Sequence, residues 1–427
     1  MADALTEHLP PLSGQEALVE SNRCLYCYDA PCTRACPTHI DIPRVIRKIA
    51  TGNLTGSART IFDANLLGAT CARVCPVQEL CEGACVLGAD HKPIAIGRLQ
   101  RHAMDYAART GLAPFATAPA TGRRVAVAGA GPAGLACAGY LARHGHAVTV
   151  FEKRPLGGGL STYGIIVLRE PVDIALAEVE MIRRLGVSVE TGAEVGSSIT
   201  MDDLLARFDA VFLSAGLGAT PQLGIPGEER ILDGLAYIEQ SKLAPESLPR
   251  AGSVAVIGAG NTAIDCATIA RRTGATRVTI VYRRTEREMT AYPHEIDFIR
   301  REGVEFRTLT QPIRATEAGL ECVRMQLGDP DASGRAAPSP VRGSEFLLSA
   351  ELIIKAIGQH RPPLAAQLGL DTDRGFIRVN SGYETSLARV WAGGDCIRAR
   401  GAASTVMAVQ DGKLAAEAIH RTLTGGA

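Results

Sequence analysis

The sequence lacks the features that would place the protein on nucleic acid or in a membrane. Its 427 residues include 45 basic and 45 acidic side chains, so the formal net charge is zero. A balanced charge gives no general attraction to nucleic acid or to an anionic membrane surface. No apolar run reaches the roughly 18 residues that a transmembrane helix needs. The N-terminal MADALTEHLPPLSGQEALVE has neither the basic nor the apolar region of a signal peptide. We therefore expect a cytoplasmic protein with no nucleic-acid partner and no membrane partner.

Histidine motifs for metal binding are also missing, whereas cysteine is abundant. The nine histidines form no H-x-x-H or H-E-x-x-H pattern, so a separate catalytic metal is not expected. Eight of the 12 cysteines fall between positions 24 and 85. Thiols stay reduced in the cytoplasm, so this clustering indicates a metal or an iron–sulfur cluster before it indicates disulfides.

The clustered cysteines form two groups of four, CLYCYDAPCTRACP and CARVCPVQELCEGAC, and each group holds a Cys-Pro pair. The first group has the spacing C-x2-C-x4-C-x3-C-P. In ferredoxin-type runs the fourth cysteine often ligates the other cluster, and the same crossing is expected here. Structural zinc is the competing interpretation. Zinc sites favour paired C-x2-C knuckles, and here only Cys24 and Cys27 form such a pair. Iron–sulfur clusters are therefore favoured.

The remainder of the first 115 residues is predicted to be helical. Ile42, Val45, Ile46 and Ile49 recur at helical spacing between the two cysteine groups, and a Gly-Asn break follows them. KPIAIGRLQRHAMDYAART, which follows Cys85, has the pattern of another amphipathic helix. Because few large apolar side chains are present, we expect the clusters to hold this domain together.

A first dinucleotide-binding module is predicted in RRVAVAGAGPAGLACAGYLARHGHAVTVFEKR, which reads as strand, glycine turn, helix and strand. Gly129 makes the tight turn, Gly131 lets backbone N–H groups approach a pyrophosphate, and Gly134 allows close packing of helix on strand. Glu152 ends the second strand, where a carboxylate accepts hydrogen bonds from ribose hydroxyls. The other predicted cofactor contacts in this module are Ala130, Ala133 and Lys153.

A second module repeats the pattern in GSVAVIGAGNTAIDCATIARRTGATRVTIVYRR, and this duplication predicts a flavoprotein with two dinucleotide-binding domains. Its turn contains Gly258 and Gly260. The second strand ends in Arg283 and Arg284 rather than in an acid. Two guanidinium groups suit a 2′-phosphate, so NADPH is favoured and NADH is the alternative. The other interpretation is that the arginines only cover a solvated strand end. The further predicted contacts are Ala259, Asn261 and Thr262.

These stretches together resemble the electron-input subunit of bacterial NAD(P)-dependent dihydropyrimidine dehydrogenase, within a broader group that includes the glutamate synthase small subunit. In the dehydrogenase family the second cysteine group reads CP-x4-C-x3-C and an I-G-x-L-Q stretch follows it. Here that stretch is IGRLQ and ends at Gln100. Glutamate synthase small subunits have a shorter second group and a glutamate in place of Gln100. Both differences favour the dihydropyrimidine branch.

The resemblance also implies which side chains bind cofactors. One 4Fe–4S cluster is implied on Cys24, Cys27, Cys32 and Cys85. A second is implied on Cys36, Cys75, Cys81 and the amide oxygen of Gln100, with Cys71 as a thiol beside it. Near the flavin, GGGLSTYGIIVLREP supplies Gly159, Leu160 and Arg169, with Ile166 where the family usually has proline. Ala356 and Gly358 are implied to border the nicotinamide. Gly394, Asp395 and a helix from Thr405 are implied to contact the flavin.

The implied fold is α/β, with a helical iron–sulfur domain followed by two Rossmann-like domains, the second inserted in the first. The expected domains are residues 1–115 with two 4Fe–4S clusters, 121–245 as the first part of the FAD-binding domain, 246–360 as the NAD(P)H-binding domain, and 361–427 as the second part of the FAD-binding domain.

The implied activity is oxidation of NAD(P)H, with electrons passing through FAD and two 4Fe–4S clusters to a separate FMN and iron–sulfur subunit. That catalytic subunit would reduce uracil or thymine. Hydride transfer to a flavin needs alignment rather than a side-chain acid or base, so no catalytic residue is assigned. Three alternatives stay open: a glutamate synthase-type small subunit, a stand-alone NADPH:ferredoxin oxidoreductase, and a zinc-stapled binding module without redox function.

Overall fold

The computed structural model describes residues 5–330, 334–398 and 403–425. The chain divides into two compact units. The larger unit consists of the described residues of Leu9–Thr162, Val172–Leu217 and Arg361–Ala427. The smaller unit consists of those of Met1–His8, Tyr163–Pro171 and Gly218–His360.

The N-terminal region of the larger unit is helical, as predicted. Its helices are α1 (Gly14–Asn22), α2 (Pro31–Ala35), α3 (Ile42–Ala50), α4 (Leu54–Ala64), α5 (Gly68–Val74) and α6 (Ile96–Thr110). Asp41 caps α3, because its Oδ1 accepts a hydrogen bond from the backbone N–H of Arg44 at 3.1 Å. At the Gly-Asn break, Gly52 has a φ of 75°, and Asn53 caps α4 by accepting from the N–H of Gly56 at 2.8 Å. The apolar residues that predicted α3 are all buried: Ile42, Val45, Ile46 and Ile49.

The expectation that few large apolar side chains support this region is wrong. Ile61, Phe62, Leu66 and Leu67 are at most 2% exposed. They belong to the same buried cluster as Val125 and other residues of the adjoining sheet. The helical region is therefore held by an apolar core that it shares with the sheet, in addition to any bound cluster.

The first elements of the first dinucleotide module are β1 (Arg124–Ala128), α7 (Pro132–Arg143), β2 (Ala147–Glu152), α8 (Leu160–Tyr163), α9 (Val172–Arg184), β3 (Ser188–Thr191), α10 (Met201–Arg207) and β4 (Ala210–Leu213). Four of these strands form a parallel sheet in the larger unit, in the order β4-β1-β2-β3.

The elements of the second module, in the smaller unit, are β5 (Ile231–Asp233), α11 (Gly234–Leu243), β6 (Ser253–Ile257), α12 (Asn261–Arg272), β7 (Arg277–Val281), α13 (Pro293–Arg301), β8 (Glu305–Arg307), β9 (Thr310–Thr316), β10 (Gly319–Pro330), β11 (Ala336–Pro340), β12 (Phe346–Ser349) and β13 (Leu352–Lys355). They form a parallel sheet in the order β5-β13-β6-β7-β8 and an antiparallel sheet in which β9, β11 and β12 each pair with β10. Within the predicted polar hairpin of this module, residues 331–333 lie outside the described residues.

The chain then returns to the larger unit, which explains why the second module is an insertion. The returning elements are α14 (Pro363–Gln367), β14 (Thr372–Asp373), β15 (Phe376–Ile377), β16 (Val390–Ala392) and α15 (Thr405–Thr424). Strand β16 completes the first sheet by pairing with β4. The predicted fold class is therefore confirmed.

The second module starts earlier in the chain than the predicted boundary at residue 246. Strand β5 pairs with β13 of the second sheet, and the smaller unit begins this stretch at Gly218. It also takes in Tyr163–Pro171 from the middle of the first module. None of the helices in the described ranges has both the length and the apolar composition that a bilayer crossing requires.

Candidate cofactor sites

Cys24, Cys27, Cys32 and Cys85 come together in the structure and line one cavity of the helical region. The side chains that complete the wall are mainly apolar: Leu25, Pro31, Pro43, Ile46, Val86, Leu87, Ile94 and Ile96. We call this the first cysteine site. Burial raises the pKa of Cys32 to about 11 and also raises the pKa of Cys24. Because a coordinating thiol must be deprotonated, a bound cation would offset this cost.

The loop of the first site has an unusual backbone. Tyr26 has a φ of 50° and Ala30 a φ of 36°, and both values lie in the left-handed region that non-glycine residues seldom adopt. The guanidinium of Arg47 lies over the Tyr26 ring, 4.8 Å from its centre. Strained backbone of this kind is concentrated at ligand-binding loops.

Cys36, Cys75 and Cys81 form a second cysteine site, and Cys71 lies beside them. A hydrogen bond with Cys71 raises the pKa of Cys75, and burial and the neighbouring Cys71, Cys81 and Cys36 raise it further. Both Cys-Pro pairs end helices, because Cys36 follows α2 with a ψ of 118° and Cys75 follows α5 with a ψ of 135°. The proline ring disfavours the helical conformation of the residue before it, so each helix ends there. Each of these two thiols therefore lies at the end of a helix.

Gln100 lies on α6, and its Nε2 donates a hydrogen bond to the carbonyl of Gly68 at 2.9 Å. Because the amide nitrogen is engaged, the amide oxygen is the atom of this side chain that is available to a metal. Two carboxylates fix the start of α6. Glu20 accepts from the N–H of Ala95 at 2.7 Å, and Glu82 accepts from the N–H of Gly97 at 3.0 Å.

A buried ion pair connects the two helices that frame the second site. Arg73 of α5 and Asp105 of α6 approach to 2.8 Å, and their side chains are 4% and 20% exposed. Arg101 adds a contact to the other oxygen of Asp105 at 3.3 Å. Sequence reasoning missed this pair, because a lone arginine and a lone aspartate carry no motif.

The donor sets fit iron–sulfur clusters. Each site offers thiols, which are the usual ligands of such clusters, and the second adds an amide oxygen. Within residues 5–330, 334–398 and 403–425, no three His, Cys, Asp or Glu side chains have the geometry to hold one metal ion. The thiols of a four-iron cluster bind separate irons, so they surround a volume rather than meet at a point.

The turn between β1 and α7 has the construction expected for an FAD pyrophosphate. A Cβ on Gly134 would lie 1.9 Å from the carbonyl oxygen of Gly129, and a Cβ on Gly159 would lie 2.8 Å from the Cα of Gly131. Glu152 is buried, and its carboxylate accepts from the N–H of Ala130 at 2.8 Å. The chain thus keeps a close-packed backbone cradle that fits a dinucleotide.

The remaining predicted contacts of this module, Ala133, Lys153 and Leu160, differ in how deeply their side chains are buried. Ala133 is buried and packs against Gly394. A Cβ on Gly394 would lie 2.9 Å from the Cβ of Ala133. Lys153 is exposed and lies 3.8 Å from Glu194. Leu160 opens α8 and is 40% exposed.

The C-terminal glycine turn is fixed by a residue that sequence reasoning missed. Asp411 of α15 accepts a hydrogen bond from the N–H of Gly394 at 2.9 Å. It also accepts from the hydroxyl of Tyr383 at 3.1 Å and pairs with Arg398. Burial raises the pKa of the adjacent Asp395. Thr405 is the first residue of α15, as predicted.

The second glycine turn is covered by the loop that follows β7. The N–H groups of Thr290 and Ala291 both donate to the carbonyl of Ala259 at 3.1 Å. The side chain of Asn261 accepts from the N–H of Tyr292, also at 3.1 Å. Thr262 follows in the first turn of α12. The predicted turn is therefore present, and a pyrophosphate would meet it beside this loop.

The end of β13 adjoins the same turn. Ala356 and Gly358, the two predicted contacts in this segment, directly follow that strand. A Cβ on Gly258 would lie 2.1 Å from the carbonyl oxygen of Ala356. A Cβ on Gly260 would lie 3.3 Å from Oγ1 of Thr290. Gly358 is exposed, with a φ of 93°.

The two arginines at the end of β7 have different environments. Arg284 is 3% exposed, and its Nε donates to the carbonyl of Ala336 at 2.9 Å. Its guanidinium is therefore engaged by the protein, whereas Arg283 is exposed. Contact of either arginine with a 2′-phosphate stays a prediction, and Arg283 is the exposed member of the pair.

Arg169 also has protein partners that the sequence did not predict. Its guanidinium lies 2.9 Å from Asp265 and 2.7 Å from Glu295. Burial raises the pKa of Asp265 to about 6, and the nearby Arg169 acts in the opposite direction. These ion pairs explain the placement of Arg169 without a cofactor, and a flavin contact by this residue stays a prediction.

Asn65 is a further candidate contact that no sequence pattern indicated. Its side chain is fully buried, and neither of its amide atoms has a hydrogen-bond partner among the described residues. Buried amides are nearly always paired. Asn65 is the C-cap residue that follows α4, and a group bound in the larger unit is a candidate partner for its amide.

Two family profiles match the chain. The profile described as dihydropyrimidine dehydrogenase domain II, 4Fe-4S cluster, covers residues 2–112. The profile described as pyridine nucleotide-disulphide oxidoreductase covers residues 123–412. They confirm the iron–sulfur interpretation of the N-terminal region and the dinucleotide-binding interpretation of the two sheets.

Three relatives are similar over nearly the whole chain. The NAD-dependent dihydropyrimidine dehydrogenase subunit PreT of Escherichia coli is 34% identical, with 99% of this chain and 98% of that protein aligned. The glutamate synthase [NADPH] small chain of E. coli is 33% identical, over 97% and 93%. The putative oxidoreductase AegA of E. coli is 35% identical over 96% of this chain. The chain spans 66% of AegA's length, just under two thirds.

Solved structures support the fold alone. FprA of Mycobacterium tuberculosis in complex with NADPH has a TM-score of 0.56 at 20% identity, over 72% of this chain and 85% of that one. Thioredoxin reductase of T. acidophilum has a TM-score of 0.53 at 20% identity, over 70% and 99%. With its paired sheets, its cysteine-lined helical region and these matches, the chain belongs to the pyridine nucleotide-disulphide oxidoreductase family and carries an N-terminal 4Fe-4S domain of the dihydropyrimidine dehydrogenase type.

Proposed function

We propose that this chain is the NAD(P)H-oxidising subunit of a dihydropyrimidine dehydrogenase. It would deliver electrons to a separate FMN and iron–sulfur subunit that reduces uracil or thymine to the 5,6-dihydropyrimidine. The observation that carries the proposal is the second cysteine site. Cys36, Cys75 and Cys81 lie together, and Gln100 has its amide nitrogen engaged by Gly68. In the resemblance drawn from the sequence, that glutamine distinguishes the pyrimidine branch.

The proposed ligand sets follow the two sites. The first cluster would bind Cys24, Cys27, Cys32 and Cys85, and the second Cys36, Cys75, Cys81 and Gln100. A bound flavin would supply hydride acceptance and one-electron donation, and the clusters would supply one-electron transfer. The chain's own part is to hold these groups, through the glycine turns, Glu152, the Asp411 network and the two cysteine sites.

The end-to-end match with PreT supports this reading, because that protein is named a dihydropyrimidine dehydrogenase subunit and 98% of it is aligned. PreT is named as NAD-dependent, whereas Arg283 favours NADPH here. We propose NADPH as the preferred donor, with NADH as the alternative. Reduced thiol ligands require a reducing compartment, so we propose a cytoplasmic location.

The direct experiment compares the purified chain with and without an FMN and iron–sulfur subunit. Alone, the chain should oxidise NADPH with ferricyanide and show no oxidation that depends on uracil. With that subunit present, uracil and thymine should each support NADPH oxidation. Uracil-dependent oxidation by the chain alone would contradict the proposal.

The main alternative is a glutamate synthase small chain, since one such chain is aligned over 93% of its length. A second alternative is an NADPH:ferredoxin oxidoreductase. Co-purification distinguishes them, because a glutaminase-containing partner supports the first and ferredoxin without an FMN subunit supports the second. Recovery of either would replace the pyrimidine proposal.

A further inference from the structure

Lys413 of α15 connects the flavin module to the second cysteine site. Its ammonium donates hydrogen bonds to the carbonyls of Thr38 at 3.0 Å and of Ala64 at 2.9 Å. Thr38 is two residues beyond Cys36, and Ala64 ends α4. One side chain therefore joins the helix that follows the C-terminal glycine turn to the loop of a predicted cluster ligand.

The ammonium lies within electrostatic reach of Cys36. Burial lowers the pKa of Lys413, and the charge of the Cys36 thiolate acts in the opposite direction. Cys36 Sγ itself lies 3.4 Å from Oγ1 of Thr38. A positive charge at this place would lie beside any cluster that uses Cys36 as a ligand.

Two neighbours of Lys413 fix α15 on the dinucleotide turn. A Cβ on Gly412 would lie 2.1 Å from the carbonyl oxygen of Ala133, so α15 lies directly on α7 there. Asp411 accepts from the N–H of Gly394 at 2.9 Å. Residues 411–413 therefore contact the predicted flavin cradle and the loop of the second cysteine site within one helical turn.

We propose that Lys413 is a positioning residue that sets the reduction potential of the second cluster. It holds the loop after Cys36 against the flavin module, and its charge favours the reduced, more negative state of the cluster. Net charge and hydrogen bonding around a cluster are established determinants of its potential. The inference rests on the ligand set under the proposed function, in which Cys36 binds the second cluster.

Lys48 offers a matched control in the same region. Its ammonium donates to the carbonyl of Gly56 at 2.9 Å and to Oγ1 of Thr60 at 2.7 Å. The charged groups that act on it are Arg44, Asp41 and Asp63, with no cysteine among them. It is therefore a half-buried lysine with two similar hydrogen bonds and no predicted ligand beside it.

The test is a redox titration of the purified chain followed by electron paramagnetic resonance. The signal of the second cluster is first assigned as the one that Cys81→Ser removes. If Cys81→Ser removes no cluster signal, the ligand set of the proposed function fails before Lys413 is examined. Pyrimidine activity plays no part in this readout.

In Lys413→Gln, the equilibrium constant for one-electron reduction of the second cluster should fall about tenfold, a shift of about 59 mV to more negative potential. Lys413→Arg, which keeps the charge, should retain the wild-type potential, and so should Lys48→Gln. An unchanged potential in Lys413→Gln with the cluster present would overturn the inference. Equal shifts in Lys413→Gln and Lys413→Arg would overturn it as well, because charge would then have no role.

Discussion

The two cysteine sites use similar ligands in different surroundings. The first is walled mainly by apolar side chains, and the nearby Leu25, Tyr28 and Val86 are at least 50% exposed. The second lies between two helices, α5 and α6, that are joined by the buried ion pair of Arg73 and Asp105. It is also linked to the dinucleotide module, because Lys413 donates a hydrogen bond to the carbonyl of Thr38 and Glu178 of α9 accepts one from the N–H of Ala69 at 2.8 Å.

Ligand spacing and ligand surroundings carry different information about a site. The cysteines alone predict where clusters bind, but their neighbours indicate what each site does. Buried charges and contacts with α9 and α15 couple the second site to the flavin module. The apolar, partly exposed first site has no comparable tie among these contacts. We therefore expect the two sites to respond differently to the same kind of change.

The largest expected effect is the loss of one cluster at a time. Cys81→Ser should remove the second cluster and Cys85→Ser the first, so each variant should keep about half of the iron. The reason is that each serine replaces a thiolate ligand of one proposed site. Iron and sulfide analysis with a visible spectrum provides the measurement. Loss of all the iron from both variants would show that the sites are not independent.

A buried ion pair should matter more at the second site than an exposed one at the first. Asp105→Asn removes the charge that pairs with the buried Arg73, and we expect a loss of about 3 kcal/mol in the free energy of unfolding. The matched control is Asp29→Asn. Asp29 pairs with Arg34 at 3.2 Å, and both side chains are more than 60% exposed, so its loss should cost under about 1 kcal/mol.

Denaturant unfolding measures both variants, and chelator challenge follows the two clusters. In Asp105→Asn the second cluster should be released faster than the first. Equal losses of stability in Asp105→Asn and Asp29→Asn would remove the proposed difference between the sites.

Mild acid should lower the stability of the larger unit, through a histidine that belongs to neither cysteine site. The pKa of His146 is lowered to about 4, mainly by burial and in addition by the neighbouring His420 and His144. An unfolded histidine titrates near pH 6.5, so the unfolded state binds more protons between about pH 6.5 and pH 4. Neutral His146 therefore makes its whole contribution to the free energy of unfolding above about pH 6.5. This contribution is lost as the pH falls from about 6.5 to about 4.

Between pH 7 and pH 5 we expect the free energy of unfolding to fall by an amount on the order of 1–3 kcal/mol. The melting temperature should fall with it. In His146→Gln the fall should be smaller, since no proton is taken up at that position. Differential scanning calorimetry at several pH values provides the measurement. The same pH dependence in both proteins would contradict the assignment to His146.

The smallest expected effect is at Cys71, which is buried beside Cys75 but outside the proposed ligand sets. Cys71→Ser should keep both clusters and change the free energy of unfolding by no more than about 1 kcal/mol. Iron content settles the point. Loss of half the iron would make Cys71 a ligand and would displace Gln100 or one of the cysteines.

Local patterns in the sequence predicted the local structure well. The spacing of Ile42, Val45, Ile46 and Ile49 predicted α3, and the glycine turns predicted both sheets with their first helices. These features depend on residues close together in the chain, which periodicity and turn chemistry describe directly.

Contacts between distant residues could not be predicted in this way. Lys413 and Thr38 are 375 positions apart, and Glu178 and Ala69 are 109 apart. The expectation that the helical region lacks large apolar side chains for a core failed for a related reason, because its apolar core is completed by residues of the first sheet. Arg284 matched a nucleotide-binding pattern, and that pattern did not indicate the hydrogen bond from its Nε to a carbonyl in a distant hairpin.

The most direct test of the two-site account is the substitution Cys36→Ser, examined by electron paramagnetic resonance of the reduced protein. Cys36 belongs to the first cysteine group in sequence but to the second site in the structure. The account predicts that Cys36→Ser loses the signal that Cys81→Ser loses and keeps the signal that Cys32→Ser loses. Loss of the Cys32 signal, with the Cys81 signal retained, would contradict it.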